Sequence, residues 1–446
     1  MKRLLAWYLH ISLVTRIFVG FILGSIVGAV LWIMTDEATV LRLVPFFSPF
    51  GTILINMLKM IVIPVIFLSL IVGASSLPLK KFGRIGGKVI TWYLLTSLLA
   101  AIVGAILALL LNPGGGADLQ GWEKLATALG SQTQELSQAA PTSKGFVAML
   151  VNMFQNPFQA LATGNFLSII VFAILFGLAI RVSIEGTENS TAISIMEQMI
   201  ALFTAARDVM FKLVDWILEY SPIGVFALSL INFGMYGPNI VGPYIKVTLG
   251  IVAGIFLMVF VVYSLLIFVV TRRSPYRVLK SIQEAMITAF ITRSSAATLP
   301  VSMRVATDDL KIRNELVSFA LPLGATINMD GVCVHLPMFA ILAANMFGIE
   351  LTTGSLVLLI LTTVLASIGA GGVPGGSLML LFLILESLGL DSTQVAVIVA
   401  LALGINPILD MFETANNVTG DLICTLTVAD TEKMIDNNQT GNLQTN

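Results

Sequence analysis

Apolar residues run almost unbroken through about 12–34, 45–77, 87–112, 150–182, 196–232 and 244–270. Each stretch exceeds the roughly 20 residues that carry a helix across a hydrocarbon core, so membrane-spanning helices are predicted there. From about residue 280 the pattern changes. Polar, glycine-rich patches at 292–300, 324–331, 369–377 and 406–421 interrupt shorter apolar runs. Backbone leaves the helix inside a membrane only where it is buried in protein or lines a wet cavity. Interrupted spans are how a midplane ion or substrate site is built.

These patches fall in a repeating order. A broken apolar hairpin at about 282–303 precedes a helix with a polar centre at about 316–347, and a second hairpin at about 355–389 precedes a second such helix at about 393–428. This predicts an internal structural repeat of inverted sense. The polar stretch 113–145 is expected to be an exposed loop, and the tail from about 430 a disordered end.

Composition removes the alternatives to a membrane protein. Of 446 residues, 57% are hydrophobic and 11% charged, against about a quarter charged in an ordinary soluble domain. The first apolar stretch is too long for a signal peptide and lacks a small-residue cleavage site, so it reads as the first span. The net charge of −1 gives no hint of nucleic acid. Cys333 and Cys424 have neither disulfide nor zinc spacing. Basic residues cluster at Lys2/Arg3, Lys80/Lys81/Arg84/Lys88, Arg272/Arg273/Arg277/Lys280 and Arg304/Lys311/Arg313, which orients those loops, and both termini, to the cytosol.

Four carboxylates lie in otherwise apolar spans: Asp330, Asp410, Glu413 and Asp421. An ionised carboxylate there costs a few kcal/mol or more without a partner, so such residues are functional by default. Asp410, Glu413, Asn417 and Asp421 recur at steps of three and four and form one stripe on a helix. With Asn328 and carbonyls freed at the breaks they offer oxygen ligands, which suit a hard cation and not a transition metal. Arg293, beside Ser294 and Ser295 at the tip of the first hairpin, reads either as a snorkelling arginine or as a cation aimed at a carboxylate. We expect it to pair with Glu413, since each otherwise lacks an obvious partner.

Other features carry less. His335 reads as a packed histidine and Lys59 as a snorkelling lysine. Gly83–Lys88 misses the phosphate-loop spacing, and Asn417-Val418-Thr419 is a chance glycosylation match. A channel would want a continuous filter or charged ring, and a hydrolase a nucleophile beside its base; the chain offers neither.

The motifs Arg293–Pro300, Asn328-Met329-Asp330-Gly331, Gly372-Val373-Pro374-Gly375 and Asp410 through Asn417–Asp421 together resemble the dicarboxylate/amino acid:cation symporters, over nearly the whole chain. That resemblance implies an all-α polytopic membrane protein with eight transmembrane helices, two re-entrant hairpins and inverted repeats, working as an elevator-type carrier and assembled as a homotrimer in a prokaryotic inner membrane. It implies scaffold helices in 1–86 and 147–243, transport-domain segments in 87–146 and 244–429, and a cytoplasmic tail at 430–446.

By position, the resemblance also implies sodium sites. One uses Asp421 with the backbone of Gly324, Asn328 and Asn417; a second the carbonyls of Thr326, Ser367 and Ile368; a third Tyr93, Thr96, Ser97, Asn328 and Asp330. Asp410 would hold a substrate ammonium, while Asn417 and the hairpin backbone at Ser294, Ser295 and Val373 would hold its α-carboxylate. The acidic-substrate branch has Arg where this chain has Glu413 and Thr where it has Val332. The run Glu413-Thr414-Ala415 looks like the serine/threonine branch. The expected cargo is therefore a small neutral amino acid with sodium; acidic amino acids, C4-dicarboxylates and proton coupling are the alternatives.

Overall fold

The computed structural model describes residues 11–75, 83–115, 154–163, 166–370, 372 and 374–436. The predicted loop at 113–145 lies almost wholly outside these residues, as do Lys2, Arg3, Lys80 and Lys81. Among the described residues the chain is nearly all helical, and eight helices are long and apolar enough to cross a membrane. The one β contact among the described residues is an isolated bridge between Ile312 and Ile435.

The first half follows the apolar runs. Helix α1 spans Leu13–Met34, α2 Glu37–Ser75 and α3 Gly83–Leu111. Helix α2 starts earlier than its apolar run and passes Pro45, Pro49 and Pro64 unbroken, although each proline removes one backbone donor. The run predicted at 150–182 instead holds a short α4, Pro157–Thr163, and α5, Phe166–Gly186. The Asn156 carboxamide accepts from Phe158 N at 3.0 Å and starts α4. Helix α6, Ser190–Tyr236, is capped by Asn189. Helix α7 runs Val241–Thr271 and widens into π turns at Met258–Tyr263 and Ile267–Thr271.

The second half contains two helical hairpins. Helices α8 (Pro275–Thr292) and α9 (Ser295–Asp308) form the first. Arg293 ends α8 in the left-handed region at φ 55°, and Ser294 opens α9 by accepting from Ala297 N at 3.2 Å. Helices α12 (Thr353–Ser367) and α13 (Gly376–Ser387) form the second. Between the hairpins, the polar-centred helix is two helices, α10 (Asn314–Ile327) and α11 (Asp330–Phe347), parted at Asn328 and Met329.

One expected interruption is absent. Helix α14 is continuous over Ser392–Thr431, so the polar patch 406–421 does not break it. Its polarity comes from side chains at helical spacing, and its lone Pro407 is not enough to end a helix of 40 residues.

Packing sorts the helices into two groups. Helix α6 lies along α1 and α2, with α5 against α2. Gly20, Gly24 and Gly28 bring α1 directly onto the α6 backbone at Pro222, Phe226 and Leu230. In the other group α3 packs on α11, α8 on α14, and α7 on both α3 and α11. This second group surrounds the broken elements.

At one end of that group residues 430–436, expected to begin a disordered tail, are tied down. Arg313 N donates to Met434 O at 2.9 Å and Asp436 N to Lys311 O at 3.0 Å. Glu432 pairs with Lys88 and Arg84, and Asp430 with Arg273 at 3.4 Å.

Candidate functional site

The hairpin tips meet. Ser294 Oγ donates to Gly372 O at 3.0 Å, and Ala296 N donates to the same carbonyl at 3.3 Å. Gly372 sits at φ +66°, and a side chain there would strike the Ala325 carbonyl at the end of α10. Only glycine lets the second tip lie on both the first tip and the broken helix.

Beneath the tips is a small cavity. Ser295 and Gly372 line its roof, Met329 and Val332 one wall, and Asp410, Glu413, Thr414 and Asn417 of α14 another. The predicted stripe on α14 thus does face a cavity at three of its four positions. Asp421 lies deeper. Asp410 Oδ2 accepts from Gly375 N at 3.2 Å. Of the other predicted residues, Arg293 and Ser294 stand outside the lining, and Val373 lies outside the described residues.

The expected Arg293–Glu413 pair does not form. Arg293 approaches Asp410, with Nη1 3.9 Å from Oδ2, too far for a hydrogen bond. Glu413 Oε1 instead lies 2.6 Å from Nδ1 of His335. Helix α11 runs beside α14 here, so His335, fully buried and stacked on Phe339, reaches Glu413 first. Counting formal charges overlooked an imidazole as partner.

Gly331 sets how near the two helices come. Its N–H donates to Asn417 Oδ1 at 2.6 Å, and a Cβ on it would stand 2.5 Å from the Cα of Glu413.

Below the cavity the break at 328–329 gathers oxygen atoms. Asn328 donates through Nδ2 to Asp421 Oδ1 at 2.9 Å and accepts at Oδ1 from Thr96 at 3.3 Å and Ser97 at 3.5 Å. Asp330 accepts from Ser97 at 2.7 Å on one oxygen and from Tyr263 at 2.6 Å on the other. Asn328, Asp330, Thr96 and Ser97 are all buried. Among the described residues no basic side chain pairs with Asp330 or Asp421. Buried carboxylates facing only neutral donors lack the compensating charge their burial calls for, and a hard cation among these oxygens would supply it.

Tyr93 joins the cluster indirectly. Its hydroxyl donates to Ala320 O at 2.8 Å and lies against Gly324 and Asp421. Thr326, Ser367 and Ile368 sit at the ends of α10 and α12. No hydrogen bond joins Thr326 to Ser367 or Ile368 among the described residues: Thr326 Oγ1 donates to Pro322 O at 3.1 Å and Ser367 Oγ to Val364 O at 2.9 Å.

Sequence reasoning missed His335 as a partner of the site and missed Tyr263 altogether. The available signal for Tyr263 was a hydroxyl in the middle of the apolar run 244–270. For His335 it was a second titratable group on the span that carries Asp330.

Known proteins resemble this chain over most of its length. A proton/glutamate-aspartate symporter of Escherichia coli is 31% identical over 95% of this chain and 94% of its own length. A proton/sodium-glutamate symport protein of Geobacillus stearothermophilus is 30% identical over 93% of each chain. A serine/threonine transporter of Bifidobacterium adolescentis is 31% identical over 92% of this chain and 88% of its own. These relatives are transporters and not enzymes. With residues 13–431 matching its pattern, the chain belongs to the sodium:dicarboxylate symporter family.

Proposed function

We propose that this protein is a secondary active sodium:amino acid symporter that imports small neutral amino acids, serine and threonine, by an elevator mechanism of alternating access. The observation that supports this most directly is that Asp410 and Glu413 face one cavity whose lining has no basic side chain. Asp410 takes the substrate ammonium. Asn417, with the start of α9 at Ser295 and the glycine-rich second tip, takes the α-carboxylate. Glu413 and Val332 then face the substrate side chain.

Charge at Glu413 argues against an acidic cargo. A substrate carboxylate about 4 Å from it, if it is ionised, would be repelled by about 4 kcal/mol at an effective dielectric near 20, about three powers of ten in affinity. The relatives named for glutamate and for serine/threonine are equally similar to this chain, so the cargo reading rests on the pocket side chains.

Sodium would occupy the oxygen clusters around Asp421 and around Asp330, with Thr326, Ser367 and Ile368 offering carbonyls for a further ion. The two packing groups act as scaffold and moving part, and both hairpins enter the membrane without crossing it. The tip contact at Gly372 gates the cavity. We place the protein in the inner membrane of a prokaryote as a homotrimer with both termini cytoplasmic. A cavity under two touching tips suits a carrier better than a continuous pore.

Uptake by proteoliposomes under an imposed sodium gradient at fixed pH tests the proposal. Labelled serine should enter in a sodium-dependent way, with alanine and threonine competing and aspartate and glutamate competing poorly. Strongest uptake of aspartate, or uptake that follows a proton gradient and ignores sodium, would overturn the cargo or the coupling respectively.

A further inference from the structure

We propose that Ser377 and Asn406 are specificity-determining residues, the part of the cavity wall that reads a hydroxyl on the substrate side chain. The inference rests on the small-amino-acid reading above and deepens it.

Both residues belong to the polar interruptions, yet the site described so far uses neither. Ser377 closes the patch 369–377 and Asn406 opens the patch 406–421. They are buried, at 1% and 3% exposure. Across the gap between the second hairpin and α14, Ser377 Oγ donates to Asn406 Oδ1 at 3.3 Å. That is long for a hydrogen bond between two oxygens, so neither group is spent on the other.

Position ties the pair to the ammonium site. Ser377 stands in the first turn of α13 and lines the cavity. Asn406 lies one helical turn before Asp410 on the unbroken α14 and shares its face. Gly375 N, donating to Asp410 Oδ2 at 3.2 Å, holds the start of α13 against the same stretch of α14. In serine and threonine the hydroxyl sits on the carbon next to the one that carries the ammonium. A substrate whose ammonium rests on Asp410 therefore has to have its hydroxyl read close by.

The other hydroxyls of the lining are committed elsewhere. Thr414 Oγ1 donates to Asp410 O at 2.7 Å and so spends its proton within its own helix. Ser295 belongs to the α-carboxylate end of the site.

The pair keeps both kinds of hydrogen-bonding capacity open. The two side chains make no hydrogen bond besides their own among the described residues, which leaves the Ser377 lone pairs and the Asn406 Nδ2 hydrogens unused. With the amide turned over, Nδ2 donates to Ser377, and the serine proton and the amide oxygen are left instead. A donor and an acceptor remain either way, and a hydroxyl is a small substituent that answers both. A methyl group answers neither and leaves buried polar groups without partners, which is costly.

The test is competitive binding to the purified full-length transporter in saturating sodium. Its ligands are serine, 2-aminobutyrate, which carries methyl in place of hydroxyl, and alanine, which has neither. Wild type is expected to bind serine about tenfold more tightly than 2-aminobutyrate, as for one net buried hydrogen bond. In Ser377→Ala and in Asn406→Leu that ratio is expected to fall to about twofold or less, with alanine affinity kept within about threefold of wild type. A wild-type ratio in folded Ser377→Ala, or in Asn406→Leu should the alanine variant fail to fold, overturns the inference. Alanine affinity that falls as far as serine affinity assigns the pair to the frame of the site and overturns it too. A wild type that binds serine and 2-aminobutyrate equally overturns this inference and leaves the cargo reading standing. A wild type that binds none of the three overturns both.

Discussion

The hydroxyl of Ser294 donates to the carbonyl of Gly372 across 3.0 Å, and with Ala296 N on the same carbonyl it joins the two hairpins over the cavity. Because Ser294 also caps α9 through Ala297 N, the same side chain shapes its own hairpin and holds the other. Gly372 answers with a backbone that no other residue adopts without strain.

Gly372→Ala tests that closure. A Cβ there meets the Ala325 carbonyl, and a left-handed non-glycine residue costs roughly 1–2 kcal/mol on its own. The expected result is at least a tenfold loss of initial uptake rate with little change in thermal unfolding. Wild-type rates would show that the tips need not meet.

Asp410→Asn tests the ammonium site. Removing one member of a buried charge pair costs about 3–5 kcal/mol, so substrate affinity measured by competition is expected to drop by two to three powers of ten. Arg293→Lys, at a contact of 3.9 Å that is no hydrogen bond, is expected to change affinity less than fivefold. Equal losses in the two variants would mean that Arg293 binds substrate itself.

Tyr263→Phe addresses the cation cluster. It removes the 2.6 Å hydrogen bond to Asp330 Oδ2 and leaves a buried carboxylate oxygen unpaired, a penalty of about 1–3 kcal/mol. The sodium concentration for half-maximal uptake is expected to shift about tenfold, with the serine KM at saturating sodium unmoved. A shift in the serine KM alone would detach Tyr263 from ion binding.

How much of this was readable beforehand divides by distance along the chain. The spans, the two hairpins and the break at Asn328 are local events, written in runs of apolar residues and in glycine-rich punctuation, so the sequence announced them. Helix α14 was misread because polar side chains at helical spacing imitate a break when judged by composition alone. The Glu413–His335 pair joins residues on different helices, and spacing within one helix cannot reveal it. Charge matching then favoured Arg293, the nearest cation by motif, over an imidazole ring whose hydrogen-bonding nitrogens a charge count passes over.

The charged clasp at the end of α14 carries a pH prediction. Lys88 and then Arg84 hold the Glu432 carboxyl below its ordinary pKa, so its proton is bound less tightly in the folded chain than in the unfolded one. Its contribution to stability is complete above the ordinary carboxylate range and disappears as pH falls through the lowered value. Glu432→Gln is expected to unfold at a lower temperature than wild type at neutral pH, with the gap closing on acidification. A gap that persists at pH 3 would mean that the clasp works through shape and not charge.

Gly331 has a consequence that reaches past any one cargo. Because backbone meets backbone between α11 and α14 at Gly331 and Glu413, the spacing of the two helices does not depend on which side chains stand at 332, 335 and 413. The frame and the reading head are separable. A lineage can exchange those three side chains and change what it carries while inheriting the helix spacing untouched.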